Sequence, residues 1–314
     1  MYRVACVGEV MLELTLVGGD VQLGVAGDTF NTATYLKRLV PGAEVAYVTL
    51  VGRDALSEVV FQRLEAEGLN TETVGRSSDK TVGLYAITVD ERGERSFTYW
   101  RSQSAARGLF DVGSQITLDR LSSFDLVYLS GITLAILEGP VRDELFKWAA
   151  AYQAGGGLIA FDSNYRPALW ESPETARDAT RRMWSLCDIA LPSASDEMQL
   201  FGDRCETSVI ERIKSAGASY GCLKRGEFGP TSLLEPEVSF PPATLADVVD
   251  TTAAGDSFNA GFLAAHIAGD NAESCMRAGH HLASEVIMHR GAIIPADKMP
   301  SLSIGRAGHG ANLE

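Results

Sequence analysis

Short apolar runs alternate with stretches of helical periodicity along most of the chain. The runs 4–7, 46–51, 126–130, 158–161, 189–191 and 221–223 have the length and composition of buried strands. Between several of them lie segments 29–39, 57–67, 139–154, 175–186 and 209–215, where apolar residues recur every three or four positions. This alternation predicts an α/β fold with a mostly parallel sheet and helices on both faces. A ligand site is then expected at the carboxyl ends of the strands.

One region departs from the alternation. Residues 82–89 and 95–101 each alternate apolar and polar positions and are joined by the turn-like Asp90-Glu91-Arg92-Gly93-Glu94, which predicts an antiparallel hairpin. Gly83, Tyr85, Ile87 and Val89 share one face of its first strand, and Phe97, Tyr99 and Arg101 share one face of its second. Such a hairpin is either a lid set into the α/β domain or an ordinary edge hairpin, and patterning alone does not separate the two. Internal repeats and low-complexity blocks are missing from the sequence. The glycine-bearing tail 301–314 is expected to be poorly ordered.

Composition narrows the classes. The 314 residues suffice for one large α/β domain or two modest ones, and 46% hydrophobic with 22% charged residues suits a globular chain with a sizeable core. The net charge of −14, with no basic run, argues against nucleic acid as a partner. A few placed arginines and a metal ion can still create a local field for an anionic small molecule. Cys6, Cys187, Cys205, Cys222 and Cys275 are scattered and lack CxxC spacing, so reduced thiols are expected rather than disulfides or a zinc site. The adjacent His280 and His281 would point to different faces of a helix and do not form a metal pair. The opening residues lack a signal peptide's apolar core, and no stretch is long enough to span a membrane. These features predict a soluble, cytoplasmic protein.

The chemistry concentrates at Val249-Asp250-Thr251-Thr252-Ala253-Ala254-Gly255-Asp256-Ser257-Phe258-Asn259-Ala260-Gly261-Phe262. Small residues end in Asp256, and a helical run 257–268 follows. Backbone N–H groups at such a junction lack internal partners and sit at the positive end of the helix dipole. A phosphate, or charge developing on a transferring phosphoryl group, is stabilised there. Asp256 is placed to take a proton from a hydroxyl. A short small-small-Gly-Asp string could equally be a helix cap formed by Asp256 or Ser257.

The longer string is more specific. Asp250-Thr251-Thr252-Ala253-Ala254-Gly255-Asp256-Ser257-Phe258 resembles the DTxGAGDxF signature of the ribokinase-like (PfkB) carbohydrate kinases, with Ala253 in place of the usual glycine. The resemblance implies a three-layer α/β/α sandwich with a β-sheet lid over residues 1–300, its lid strands drawn from about 9–26 and 82–101. It implies an anion hole at Ala253, Ala254 and Gly255, Asp256 as catalytic base, and ATP with Mg2+ as cofactors. Further landmarks follow in family order. Ala26-Gly27-Asp28-Thr29-Phe30-Asn31 resembles the first glycine motif, where Gly27, Asp28 and Asn31 would contact sugar hydroxyls. Read without the resemblance, Asp28 or Thr29 could simply cap a helix. Gly52-Arg53-Asp54 resembles a structural turn. Phe161-Asp162-Ser163-Asn164-Tyr165-Arg166-Pro167 matches a D-x-N-x-R stretch, with Asn164 toward the nucleotide. Ser193-Ala194-Ser195-Asp196-Glu197 stands where the family has N-x-x-E. Ser193 would then face the nucleotide, and Asp196 or Glu197 would order Mg2+ through water. Lys224-Arg225-Gly226-Glu227-Phe228-Gly229 resembles the K-x-G-x-x-G nucleotide loop, with Lys224, Arg225, Gly226 and Gly229 as its contacts. A glycine-rich turn with two cations could also be a surface hairpin.

Within the family, Gly83-Leu84-Tyr85, Gly93-Glu94-Arg95-Ser96-Phe97-Thr98-Tyr99-Trp100-Arg101 and Arg290-Gly291-Ala292-Ile293-Ile294-Pro295 resemble the branch acting on 2-dehydro-3-deoxygluconate. That resemblance implies an acid-sugar substrate contacted by Tyr85, Tyr99, Arg101 and Arg166, with Glu9 near the sugar. Arginine presents a planar fork to a carboxylate, and tyrosine adds oriented hydroxyls. The same residues on a hairpin can be surface packing. Ala278, Leu282, Ala283 and Met288 would wall an adenine or belong to the core. The galacto epimer, a neutral sugar such as fructose or ribose, and a non-catalytic sugar- or nucleotide-binding regulator remain the alternatives. An exposed lid edge would offer a surface for a homo-oligomer, because unpaired strand edges invite partners.

Overall fold

The computed structural model describes residues 1–17, 20–89, 95–236, 238, 240 and 248–305. The hairpin turn at 90–94 and the end of the predicted tail, 306–314, lie outside the described residues. In chain order, β1 (Arg3–Val7) leads into β2 (Met11–Val17) and β3 (Asp20–Ala26), then α1 (Asp28–Leu39) and β4 (Glu44–Val51). Next come α2 (Ala55–Ala66), β5 (Val74–Arg76) and the hairpin β6 (Gly83–Val89) and β7 (Arg95–Trp100). The middle of the chain forms β8 (Leu126–Ser130), α3 (Gly131–Ile136), α4 (Gly139–Ala154), β9 (Leu158–Asp162) and α5 (Pro173–Trp184). The remainder is β10 (Ile189–Ala190), α6 (Ala194–Phe201), α7 (Glu206–Ala216), β11 (Cys222–Leu223), β12 (Thr231–Ser232), α8 (Ala254–Ile267) and α9 (Ala272–Val286).

The central sheet has the order β10-β9-β8-β1-β4-β5, and its described pairings are parallel. Parallel bridges from Ala190 to Gly221 and from Ser193 to Lys224 carry the sheet on toward β11. Successive residues of each strand feed opposite cores. Ala5, Val7, Val127 and Leu129 pack with Leu145, Met183 and Ile213 of α4, α5 and α7. Val4, Cys6, Leu126 and Tyr128 pack with Phe30, Val60, Phe262 and Leu282 of α1, α2, α8 and α9. Strands buried on both faces read as continuous apolar runs, which is why they were legible. The result is the expected three-layer sandwich.

The predicted hairpin is one half of a separate four-stranded sheet of order β3-β2-β6-β7. Its other half is β2 and β3, joined antiparallel, and β2 pairs with β6 in parallel. On one face Tyr85 stacks against Tyr99 with ring centroids 5.7 Å apart, and Phe97 lies beside both. This is the shared face that the alternation predicted.

Local signals explain several element starts. Asp54 caps α2 by accepting from the N–H groups of Leu56 and Ser57, both at 3.0 Å, so Gly52-Arg53-Asp54 is the structural turn expected. Ser172 caps α5 ahead of Pro173, and Asn271 caps α9. Among the described residues, no helix is long and apolar enough to cross a membrane.

Candidate active site

The carboxyl end of β9, the turn after β11 and the inner face of the lid enclose a cavity of about 950 Å3. It gathers Gly27, Asp28 and Asn31 from the start of α1, Tyr85, Tyr99 and Arg101 from the lid, and Asn164 and Arg166 from the loop after β9. Ser193, Asp196 and Lys224 form one wall, and Ala253, Ala254, Gly255 and Asp256 close the floor.

The floor differs from the expected junction by one helical turn. Helix α8 begins at Ala254 rather than at 257, which puts Asp256 in its first turn. Among the described residues no side chain caps this helix, whose cap position is Ala253, so the alternative of Asp256 or Ser257 as a cap fails. Ala253 precedes it with φ 61°, in the left-handed region, where an alanine costs roughly 1–2 kcal/mol. Its side chain packs against the cluster formed by Met11, Ala26, Tyr85, Ile87 and Ala292, an apolar contact that offsets part of that strain. The N–H of Ala254 is bonded to the carbonyl of Thr251 at 3.2 Å. Among the described residues, the first-turn N–H groups without a partner are therefore those of Gly255 and Asp256. Ala254, the third residue expected at the anion hole, has its N–H engaged in this turn.

Asp256 is fixed from α1. Asn31 Nδ2 donates to Asp256 Oδ2 at 2.8 Å, and Thr32 Oγ1 donates to the Asp256 carbonyl at 3.1 Å. Part of the Asp256 surface opens on the cavity, yet loss of water around the carboxyl pushes its pKa up to about 8. The nearby charges of Asp28 and Asp162 push the same way, while the Asn31 hydrogen bond and the Lys224 ammonium oppose them. Asp28 does not cap α1. The cap position is Gly27, and Asp28 Oδ2 accepts from Asn164 Nδ2 at 2.8 Å across the cavity wall. Gly27 is glycine because a Cβ there would lie 2.3 Å from the Glu9 carbonyl oxygen.

Beneath the floor runs a buried polar network that sequence reasoning did not assign. Asp162 Oδ2 accepts from Lys224 Nζ and from Asn259 Nδ2, both at 2.7 Å. Lys224 Nζ also reaches Asn259 Oδ1 at 3.0 Å, and Asn259 Nδ2 lies 2.9 Å from the Tyr128 hydroxyl. A Cβ on residue 255 would sit 3.6 Å from Lys224 Nζ, so the ammonium lies directly under the start of α8. The one available signal was Asn259 itself, a polar residue inside the apolar run from Phe258 to Ala265.

Other predicted positions fall outside the cavity wall. Glu197 is fully buried and paired with Arg212 at 2.8 Å, and burial pushes its pKa up to about 7 against that partner. Of the two acids considered for the metal, only Asp196 faces the cavity. Burial raises its pKa, opposed by Arg166 at 3.7 Å. Arg225 is turned onto its own loop, donating to the carbonyls of Gly229 and Phe228 at 2.8 Å each and to Glu206 at 3.2 Å. Gly226 and Gly229 supply the positive φ values, 58° and 70°, of that turn. Arg225, Gly226 and Gly229 thus shape the loop that carries Lys224 and do not line the cavity.

A carboxyl tuned toward neutrality, free N–H groups at a helix start and a buried ammonium below them form a site suited to phosphoryl transfer onto a hydroxyl. The model of the pfkB family of carbohydrate kinases matches residues 1–299. The chain belongs to that family. It is 42% identical over 309 residues to the 2-dehydro-3-deoxygluconokinase of Dickeya dadantii (strain 3937), covering 95% of this chain and 99% of that relative. It is 40% identical over 306 residues to the Escherichia coli (strain K12) protein of the same name, at 95% and 99% coverage. Among solved structures, the fructokinase of Vibrio cholerae O395 bound to fructose, ADP and calcium superposes with a TM-score of 0.79 at 22% identity, covering 94% of this chain and 96% of that one.

Proposed function

We propose that this kinase transfers the γ-phosphoryl of ATP to the 6-hydroxyl of 2-dehydro-3-deoxygluconate, giving 2-dehydro-3-deoxy-6-phosphogluconate. The observation that carries the reading is one cavity lined both by Asp256 with the start of α8 and by Tyr85, Tyr99 and Arg101 of the lid. Relatives at about 40% identity that bear the name 2-dehydro-3-deoxygluconokinase support the substrate.

Asp256 takes the hydroxyl proton as the sugar oxygen attacks phosphorus in line; the new O–P bond forms, the bond to the β-phosphate oxygen breaks, and ADP leaves. Lys224 and the N–H groups of Gly255 and Asp256 meet the charge spreading over the phosphoryl oxygens. Asn31 Oδ1 has no partner among the described residues and is free to accept from a substrate hydroxyl. Tyr85 donates its own proton to Glu13, so it offers the sugar an acceptor oxygen and a ring face. Arg101 and Arg166 take the carboxylate end. The lid keeps water from competing for the phosphoryl group.

The acids fit a hydrated Mg2+ better than a bare one. Among the described residues, no group of three His, Cys, Asp or Glu side chains could hold an ion directly. Asp196, whose carboxyl is raised by burial beside Asp162, would hold it through water, with Asn164 and Ser193 lining the nucleotide side. When bound, the cation supplies neutralising charge at the nucleotide phosphates.

The test is a coupled ADP-release assay with MgATP, comparing 2-dehydro-3-deoxygluconate with its galacto epimer, fructose and ribose. A strong preference for the gluconate acid supports the proposal. Preference for a neutral sugar would keep the chemistry at Asp256 and overturn the role of the lid residues. No turnover across the panel would return the chain to a binding role. A homo-oligomer would form on the lid, whose outer face exposes Leu16, Val21, Leu23 and Trp100. Light scattering that finds only monomer would exclude it.

A further inference from the structure

Glu9 follows β1 at the carboxyl end of the central sheet, and Arg101 follows β7 at the root of the lid. Glu9 is only 1% exposed. Arg101 Nε donates to Glu9 Oε2 at 2.8 Å, and Arg101 Nη2 donates to the same oxygen. The second oxygen, Oε1, is buried and has no hydrogen-bond partner among the described residues. Room for the pair depends on Gly83, where a Cβ would lie 2.6 Å from Glu9 Oε1 and 3.2 Å from the Arg101 Cβ.

A guanidinium has five N–H donors in a planar fork. Glu9 occupies its Nε–Nη2 edge through one oxygen, while Nη1 makes no hydrogen bond among the described residues and the side chain lines the cavity. We propose that Glu9 is a positioning residue that sets acid-sugar specificity. It clamps Arg101 so that the Nη1 side of the fork stands ready for the substrate carboxylate. The inference rests on the reading of Arg101 as the carboxylate's partner.

Three features favour a clamp over simple packing. The pair joins the sandwich to the root of the lid, so it holds Arg101 in register with the floor of the cavity. Glu9 also cancels the charge of Arg101, leaving recognition to directed hydrogen bonds, which a neutral sugar lacking the carboxylate cannot complete. Preorganising one long side chain also removes the rotamer entropy that an unheld arginine would lose on binding.

The experiment compares Glu9→Ala, Glu9→Gln, Glu9→Asp, Arg101→Ala and the Glu9→Ala/Arg101→Ala double variant in the coupled ADP-release assay. Glu9→Ala is expected to raise KM for the acid sugar by roughly tenfold to a hundredfold while KM for ATP holds. Glu9→Gln, which keeps an acceptor at the same reach, recovers most of that loss. The double variant is no worse than Arg101→Ala alone, because both act on one contact. An Arg101→Ala variant with unchanged KM would overturn the carboxylate reading itself. A raised KM in Arg101→Ala with an unchanged one in Glu9→Ala, or effects that multiply in the double variant, would overturn the role of Glu9 alone. Glu9→Asp decides the matter if Glu9→Ala does not fold. It keeps the charge on a shorter stem, so a clamp predicts a raised KM and a purely electrostatic role predicts a normal one.

Discussion

Asn31 Nδ2 donates to Asp256 Oδ2 at 2.8 Å, across 225 positions of sequence, and so ties the start of α1 to the first turn of α8. The bond aims the carboxyl and tempers its basicity at once. Burial and the neighbouring acids push the Asp256 pKa up to about 8, and Asn31 works against them.

Asp256→Asn keeps the shape and removes the carboxylate proposed as the base. Its kcat is expected to fall by on the order of 10²–10⁴ with KM for ATP little changed. Steady-state kinetics retaining most of the activity would remove Asp256 from the base role.

The same variant should be the more stable protein at alkaline pH. The folded-state pKa of about 8 lies above the ordinary carboxyl value near 4, so the neutral form favours folding and its contribution disappears as pH rises from about 4 to about 8. An asparagine has no such loss. Melting temperatures of Asp256→Asn and the parent should therefore diverge between pH 5 and pH 8, with the variant higher. A constant gap would contradict the raised pKa.

Asn31→Ala removes the hydrogen bond that holds the Asp256 pKa down. The rising limb of log(kcat/KM) against pH is expected to move to higher pH. A limb that stays in place or moves down would mean that Asn31 does not tune the base.

Lys224→Met leaves Asp162 without its charge partner, at a position where both side chains are more than nine-tenths buried. Breaking such a pair costs roughly 3–5 kcal/mol, and adding Asp162→Asn should restore part of it. Chemical denaturation at pH 7 reads both variants; equal stability of Lys224→Met and the parent would show that the pair is not needed for folding.

Gly255→Ala separates stability from chemistry. The added Cβ would meet nothing closer than Lys224 Nζ at 3.6 Å, an ordinary contact, so the fold should survive. The methyl group would stand between the ammonium and the incoming phosphoryl group, and kcat should fall about a hundredfold with an unchanged melting temperature. Unchanged kcat would move the anion site away from Gly255.

The sandwich was legible because its strands are buried on both faces, so runs such as 4–7 and 126–130 stand out from the amphipathic helices between them. The lid hairpin was legible for the opposite reason, since Tyr85, Ile87, Phe97 and Tyr99 alternate with outward residues. Asp256 and the loop before it were legible because small residues and the acid stand in unbroken order at a helix start. Sequence could not choose between Asp196 and Glu197. Neighbours on a helix point about 100° apart, and only the packing of α6 against α7 decided that Glu197 meets Arg212 while Asp196 faces the cavity.

The sequence by itself therefore determined the layers, the lid and the loop before Asp256, because each rests on a short-range period or a contiguous string. Only the tertiary structure decided how Asp162, Lys224 and Asn259 meet under that loop, and how Glu9 holds Arg101. Those partners lie 35 to 97 positions apart, and a buried charge finds its partner through the packing of whole elements rather than through any local pattern.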